Sequence, residues 1–231
     1  MRDLNKKKWD EIYKIKKERG SFNKYPTEHI VVFIAKNFYR IPDRRAIKIL
    51  EIGCGSGCNL IYLAKEGFSA YGIDQSAYAI DMSKEFLLKN GCAAQTEMCC
   101  ATSLPFHDNF FDACVESNSI HCNTTEDIKL MIKEILRVLK PGGKFFGIFI
   151  SDKSDEFGKG IEIDGATFNL SDTKTFRGQF DGFPVIHFFS KDEILHLTKD
   201  FSCCKLELDL TTVETGSYKN PLGYWLVELE K

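Results

Sequence analysis

The chain is expected to fold as an α/β protein, with a mostly parallel sheet, helices on both of its faces and an antiparallel pair of strands closing one edge. Three observations carry this expectation. Short apolar runs, IKILEI at 47–52, FDACV at 111–115 and KFFGIFI at 144–150, alternate with stretches of helical period. Such runs suit strands buried on both faces of a parallel sheet. A glycine-rich turn, GCGSG at 53–57, stands between the first run and a helical stretch. The last two segments, CCKLELDL (203–210) and YWLVELE (224–230), alternate in period 2, as half-buried antiparallel strands do.

The elements follow in order. Residues 4–19 read as a helix, with Leu4, Trp9, Ile12, Tyr13 and Ile15 forming an apolar stripe among Lys and Glu. Tyr25-Pro26 interrupts it. Thr27 stands as the N-cap of a second helix, in which Ile30, Val31, Ile34, Ala35 and Phe38 keep helical spacing, and Pro42-Asp43 ends it. After the first strand and the glycine turn comes a helix through Asn59–Glu66, then the strand SAYGI (69–73) ending at Asp74. A helix from about Ser76 to Lys89 is closed by Asn90-Gly91. AAQTEM (93–98) is a weaker strand and FDACV a firm one; an amphipathic helix from Thr125 to Leu139 is stopped by Pro141-Gly142-Gly143, and KFFGIFI follows. Repeated strand, helix, strand implies right-handed crossovers. Residues 151–190 are expected to be irregular, and a segment that long without clear elements marks a functional loop or lid. KDEILHLTKD (191–200) reads as a helix.

Composition narrows the function. With 231 residues, 43% hydrophobic and 28% charged, the chain has an ordinary globular balance and the size of one large domain. A formal net charge of −2 leaves no strong field toward nucleic acid or an anionic membrane. No apolar run approaches the ~20 residues that span a bilayer. The basic start, MRDLNKKKWDEIYKIKKERG, lacks the apolar core of a secretory signal and reads as a solvated helical face. Nine cysteines, an odd count with no CxxC pair, read as reduced thiols in a cytoplasmic protein.

The glycine turn carries the chemistry. Glycine admits positive φ and leaves no Cβ between the backbone and a ligand, and the carboxyl end of a strand is where open α/β sheets bind ligands. The spacing is GxGxG: Gly53, Gly55 and Gly57, with Cys54 between and Cys58 where the dinucleotide fingerprint wants Gly or Ala. Glu51 lies two residues ahead of the loop. A carboxylate there repels a pyrophosphate and suits a cation such as an amino-acid ammonium. Asp74 ends the second strand, where a carboxylate accepts hydrogen bonds from both ribose hydroxyls. These features ask for a nucleoside with a positive, non-phosphate appendage. S-adenosylmethionine answers that description; NAD answers it poorly.

The successive segments ILEIGCGSGCN, YGIDQS, LPFHDNFFDACVES and ILRVLKPGGKFFGIF resemble the ordered motifs of class I S-adenosylmethionine-dependent methyltransferases, most of all the small-molecule subgroup that includes the ubiquinone and tellurite-resistance types. The resemblance covers residues 47–150; WDEIY near the start and HFFSKDEI (187–194) extend it loosely. It implies a Rossmann-like sheet of seven strands within one domain, 1–231: a helical cap (1–46), a donor-binding core (47–150), a lid or substrate segment (151–190) and a closing sheet edge (191–231). It also implies roles. Gly53, Cys54, Gly55 and Gly57 pass close to the methionine part, and Glu51 anchors the loop and the ammonium. Asp74 holds the ribose with Gln75 beside it. Cys100, Ala101 and Thr102 meet the adenine edge, and Glu116 lies under the methionine end. One departure stands out: the family commonly has an acidic residue where Cys100 stands, and a thiol is a poor acceptor. The product is S-adenosylhomocysteine, and no metal is expected.

Methyl transfer from a sulfonium is an in-line displacement that needs a held acceptor and no covalent enzyme intermediate. His121, in ESNSIHC, is the first candidate for a base, with packing beneath the donor as the alternative; His187, in FPVIHFF, faces the pocket or fixes the loop. Tyr13 and Tyr25 close over the donor, or pack between helices. TFRGQFDGFPVIHFF (175–189) joins aromatic walls to a few charges, and Arg177 would pair an acidic group of the acceptor. The expected reaction is O- or N-methylation of a small molecule, by a monomer or homodimer without nucleic acid or a membrane span. Methylation of a metalloid or chalcogen through the cysteines, and a non-catalytic donor-binding protein, remain the alternatives.

Overall fold

The computed structural model describes residues 2–21, 23–171, 180, 182–215 and 218–231. In chain order it contains α1 (Arg2–Arg19), α2 (Glu28–Phe38), β1 (Lys48–Ile52), α3 (Cys58–Lys65), β2 (Ser69–Asp74), α4 (Ala77–Lys89), β3 (Gln95–Met98), β4 (Phe111–Glu116), α5 (Thr125–Val138) and β5 (Leu139–Ile150). It continues through β6 (Ile161–Asp164), β7 (Thr167–Asn169), β8 (Ile186–His187), α6 (Lys191–Leu197), β9 (Cys203–Thr215) and β10 (Tyr218–Glu230).

The main sheet has seven strands in the order β3-β2-β1-β4-β5-β10-β9. β1 pairs in parallel with β2 and with β4, and β5 continues in parallel with β4. β10 pairs antiparallel with β5 and with β9, which makes the predicted closing edge. The chain winds outward from β1 through β2 to β3, then returns to β4 on the other side. The carboxyl ends of β1 and β4, where Ile52 lies beside Glu116, therefore form the switch point at which such sheets open a crevice.

Alternation along the strands sorts the core. Leu50 and Ile52 face α5 and α6, whose Ile128, Met131, Ile132, Ile135 and Ile194 pack with Phe145, Phe149 and Trp225. Ile49, Ala113, Val115, Phe146 and Ile148 face the other way, against Ile30, Phe33 and Ile34 of α2, Leu60 and Leu63 of α3 and Ile80 of α4. Helices thus cover both faces. Two helix starts carry side-chain caps: Ser76 Oγ accepts from the Ala79 N–H, and Thr124 Oγ1 from the Asp127 N–H; Thr27 stands at the N-cap of α2 as expected, but its side chain makes no cap hydrogen bond.

Three expectations are corrected. Pro141-Gly142-Gly143 does not precede the fifth strand; it lies within it. Leu139 already pairs with Phe111, the register then shifts before Ala113, and the bulge between absorbs the proline, which has no N–H to give. Part of the 151–190 segment is regular. β6, β7 and β8 form a small antiparallel sheet, and Cys122, Ile150, Phe168, Leu170, Phe180, Ile186 and Phe188 make a third apolar cluster. Strands of two to four residues are too short to show a period. The final hairpin is also longer than its alternation suggested. Each strand has 13 residues, and only Tyr224–Glu230 of β10 pairs with β5, so Tyr218–Gly223 pairs with β9 alone.

Candidate active site

A cavity of about 220 Å³ opens at the switch point. Gly53, Asp74 and Gln75 line it from the ends of β1 and β2; Cys99, Cys100 and Ala101 form one wall; Ser117, Asn118, Ser119 and Asn123 form the opposite one; Trp9, Tyr13 and Lys16 of α1 contribute the roof.

The loop between β1 and α3 bends because its glycines take positive φ, +69° at Gly53 and +52° at Gly55. Both positions are also sterically closed to a side chain. A Cβ on Gly53 would stand 2.4 Å from Ser119 Cβ, and one on Gly55 2.5 Å from Tyr13 Oη. Asp74 ties the loop down from the neighbouring strand: Oδ2 accepts from the Gly55 N–H at 3.0 Å and Oδ1 from the Ser76 N–H at 2.9 Å. Burial pushes its carboxyl up to about 6. Glu51 accepts from Asn59 Nδ2 through Oε1 at 2.6 Å, while its buried Oε2 has no partner. Burial, opposed by the Asn59 hydrogen bond, pushes Glu51 up to about 8.

α1 is held over this floor by polar contacts. Ser76 Oγ donates to Asp10 Oδ1 at 2.6 Å, and Lys17 pairs with Glu85 of α4 at 2.5 Å. Trp9 stacks on Tyr13 at 5.8 Å between centroids and meets Phe183 edge-on at 5.3 Å. Burial, with Asp74 nearby, raises Tyr13 well above the usual phenol range.

Of the expected site residues, Tyr13, Gly53, Asp74, Gln75, Cys100 and Ala101 line the cavity together. Glu51, Cys54, Gly55 and Gly57 lie in or under the loop but do not line it. Thr102 stands behind Cys100, its Oγ1 3.2 Å from the thiol. Glu116 lies beneath the cavity lining, bonded to Ser119, which forms part of it. Fully buried and outside the cavity lining, it accepts from Ser119 N–H, Ser119 Oγ and Ile120 N–H through Oε2, and from Ile148 N–H through Oε1. It ties the turn after β4 to β5. His121 is likewise buried outside the lining, edge-on to Phe180, with a weak contact to the Ile148 backbone. Burial pulls it down to about 3. His187 fixes the small sheet rather than facing the cavity. Its Nδ1 lies 2.7 Å from Thr167 Oγ1, and its Nε2 lies 3.0 Å from Glu193 Oε1 but off the line of a hydrogen bond. Tyr25 is 82% exposed and does not cover the cavity. Arg177, with Phe176 and Asp181, lies outside the described residues.

The sequence reading passed over Lys16, Ser119 and Asn118. A signal existed for Lys16: on a helix it shares a face with Trp9 and Tyr13. None existed for Ser119, which reaches Gly53 only because β4 folds beside β1, nor for the left-handed φ of +61° at Asn118. All nine cysteines are free. Among the described residues, no three His, Cys, Asp or Glu side chains are grouped to hold a metal, and no helix is long and apolar enough to cross a membrane.

Sheet order, switch-point cavity and glycine loop define a Rossmann-like α/β protein with a crevice at the switch point. Residues 49–143 match the family described as "Methyltransferase domain". An uncharacterised methyltransferase of a Synechocystis strain is 35% identical over 48% of this chain and 52% of its own length. A ubiquinone biosynthesis O-methyltransferase of a Chelativorans strain is 30% identical over 64% of this chain and 59% of its own. The chain thus spans a little over half the length of these two relatives. The crystal structure of an S-adenosylmethionine-dependent methyltransferase from Methanosarcina mazei superposes with a TM-score of 0.61, at 25% identity, over 79% of this chain and 91% of that one. Over residues 49–143 the chain is a methyltransferase domain, and its fold is that of class I S-adenosylmethionine-dependent methyltransferases.

Proposed function

We propose that this protein transfers a methyl group from S-adenosylmethionine to oxygen or nitrogen of a small-molecule acceptor, by direct in-line displacement. The observation that carries the reading is Glu51 Oε2, a buried carboxylate oxygen without a donor beneath a glycine loop. A pyrophosphate site would not carry an acid there; an ammonium, directly or through water, would satisfy it.

The residues present fit this donor. Gly53 leaves backbone bare at the cavity, where a Cβ would collide with Ser119. Each oxygen of Asp74 accepts one hydrogen bond from the backbone, which leaves a lone pair on each for a ribose hydroxyl. Cys100 and Ala101 form the wall for the base. When bound, the donor supplies an electrophilic methyl on a positive sulfur. The chain's own work is to orient and to exclude water: α1 roofs the cavity with Trp9 and Tyr13, and such enclosure strengthens every polar contact inside. His121 and His187 stand outside the cavity lining, which favours an acceptor that attacks without a histidine base, such as a neutral amine or an already ionised oxygen.

The same reading treats 1–231 as one catalytic unit in the cytoplasm, monomer or homodimer, with 1–46 as cap, 47–150 as donor core, 151–190 as lid and 191–231 as sheet edge. The O-methyltransferase among its relatives supports the small-molecule class. Calorimetric titration with S-adenosylhomocysteine, with NAD as control and Asp74→Ala beside wild type, tests the donor. Micromolar binding lost in the variant is expected; NAD binding, or none by a folded sample, would overturn the reading. Turnover of amine and phenol panels by wild type then finds the acceptor.

A further inference from the structure

We infer that two copies of this chain join edge to edge through β9, running antiparallel about a two-fold axis at Leu206, so that their sheets continue as one. None of the residues involved lines the cavity, and the contact does not depend on which donor the cavity holds.

β9 ends the seven-stranded sheet. Its 13 residues pair with β10 in one unbroken register. Among the described residues, no backbone group outside β10 bonds to the backbone of residues 203–212. An antiparallel strand turns its N–H and C=O groups to one side and then the other, so every second residue here holds them away from the sheet. Edge strands are commonly kept from pairing by shortness, a bulge, a proline or charged side chains. β9 is long, without a bulge and without proline. It does carry charges, Lys205, Glu207 and Asp209, but these complement a second copy of themselves.

Alternation sorts the faces of the strand. Cys204 and Leu206 pack with the core, and Leu208 and Leu210 follow on that face, exposed; Lys205, Glu207 and Asp209 lie on the other. A second copy must set apolar residues opposite apolar ones, so the axis passes through a residue and not between two. An axis at Lys205, Glu207 or Asp209 sets that charge against itself, and an axis at Leu208 sets Glu207 against Asp209. Like charges directly opposite destabilise a sheet. An axis at Leu210 puts Leu206 against Glu214, and one at Cys204 leaves almost no overlap, because β9 begins at Cys203. At Leu206 the conflicts vanish. Lys205 faces Glu207 of the second copy and Glu207 faces its Lys205, while Leu206 meets Leu206 and the exposed Leu208 meets Cys204. Within the chain Lys205 lies 3.5 Å from Glu207 and 3.3 Å from Glu228, with Lys205 and Glu207 both more than half exposed. Exposed pairs of this kind hold little and are free to re-pair across the axis. The same patch on both copies makes the closed, isologous interface of a two-fold dimer.

The test is sedimentation velocity on the full chain, over a concentration series at low salt, with melting curves for each sample. The samples are wild type, Lys205→Glu, Glu207→Lys and an equimolar mixture of the two variants. Wild type is expected to dimerise. Each variant alone should have a dissociation constant about tenfold higher or more, because two facing pairs turn from attraction to repulsion. The mixture should recover wild-type association, since the acids of one variant then face the lysines of the other. Losing the Glu228 contact inside one chain would lower a melting point, and mixing would not repair it. A wild type that stays monomeric at every concentration would overturn the inference. So would a dimer that neither reversal weakens, which places the contact on another surface. A dimer that both reversals weaken and mixing fails to restore would overturn it too, because Lys205 and Glu207 then do not face each other across the axis.

Discussion

The Gly55 backbone N–H donates to Asp74 Oδ2 at 3.0 Å, so the end of β2 holds the loop that leaves β1. Asp74 thus has two tasks, shaping the loop and presenting oxygens to the ribose. Asp74→Ala removes both and is expected to weaken S-adenosylhomocysteine binding by about 1.5–3 kcal/mol. Methylthioadenosine, which keeps the ribose, should lose as much, and calorimetry on both ligands checks this.

Gly55 meets a second constraint from above. Its φ of +52° disfavours any side chain, and a Cβ would press on Tyr13 Oη at 2.5 Å. Gly55→Ala is expected to cost about 1–2 kcal/mol for the backbone alone, with the displacement of Tyr13 added. Denaturant unfolding of Gly55→Ala and of Gly55→Ala/Tyr13→Phe separates the two. The double variant should regain the part owed to the hydroxyl and keep the backbone part.

Glu51 predicts a pH dependence. Its folded pKa is raised by burial from 4.5 to about 8. Across that window the folded state holds more protons than the unfolded one, so stability falls as pH rises. Melting curves of the ligand-free protein should show a midpoint that declines toward pH 8. Glu51→Gln should be less steep and more stable than wild type at the upper end. Saturating S-adenosylhomocysteine should also flatten the slope, because a cation beside Oε2 favours the ionised form.

Glu116 is expected to matter for folding more than for binding. Its carboxylate serves three backbone N–H groups and one hydroxyl, at 2.6–3.2 Å. Glu116→Gln sets an NH₂ against at least one of those donors, and each buried donor left unmet costs about 1–3 kcal/mol. Denaturant unfolding should show a loss of that order or more.

His121 gives the opposite expectation. A buried imidazole held only by a weak contact to the Ile148 backbone gains little from being polar, and replacement by an apolar side chain of similar size is near neutral. His121→Leu should melt at the wild-type temperature at neutral pH. The folded pKa falls from 6.5 to about 3, so stability owed to the neutral ring is lost as pH drops below 6.5. The variant should therefore lose less stability at pH 5 than wild type. A lower midpoint at both pH values, with turnover about a hundredfold slower, would restore His121 to the chemistry.

The local signals in the chain were strong where an element is long or a loop has a chemical demand. KFFGIFI and FDACV are apolar almost throughout, which suits inner strands, and β4 and β5 lie inside the sheet, parallel to each other. Gly53 and Gly55 were legible because positive φ and a missing Cβ are properties of the residue itself. Asp74 was legible because it ends a strand. β6 to β8 were not, because segments of two to four residues hold no period. Pro141-Gly142-Gly143 read as a stop because a bulge is defined by the partner strand, which local sequence does not contain.

The site divides along the same line. Residue type and spacing established the sheet, the glycine loop and the two acids that choose the ligand class, since each follows from backbone freedom or charge at one position. Which side chains converge on the cavity was settled by packing across long separations. α1 lies on the loop because Asp10 meets Ser76 and Lys17 meets Glu85, and that turns Lys16 inward. Glu116 spends its oxygens on Ile120 and Ile148, and His121 is sealed against Phe180. An acid or a histidine in a string of letters carries a charge and a pKa range; whether it faces a ligand or satisfies the backbone depends on neighbours that folding alone brings within reach.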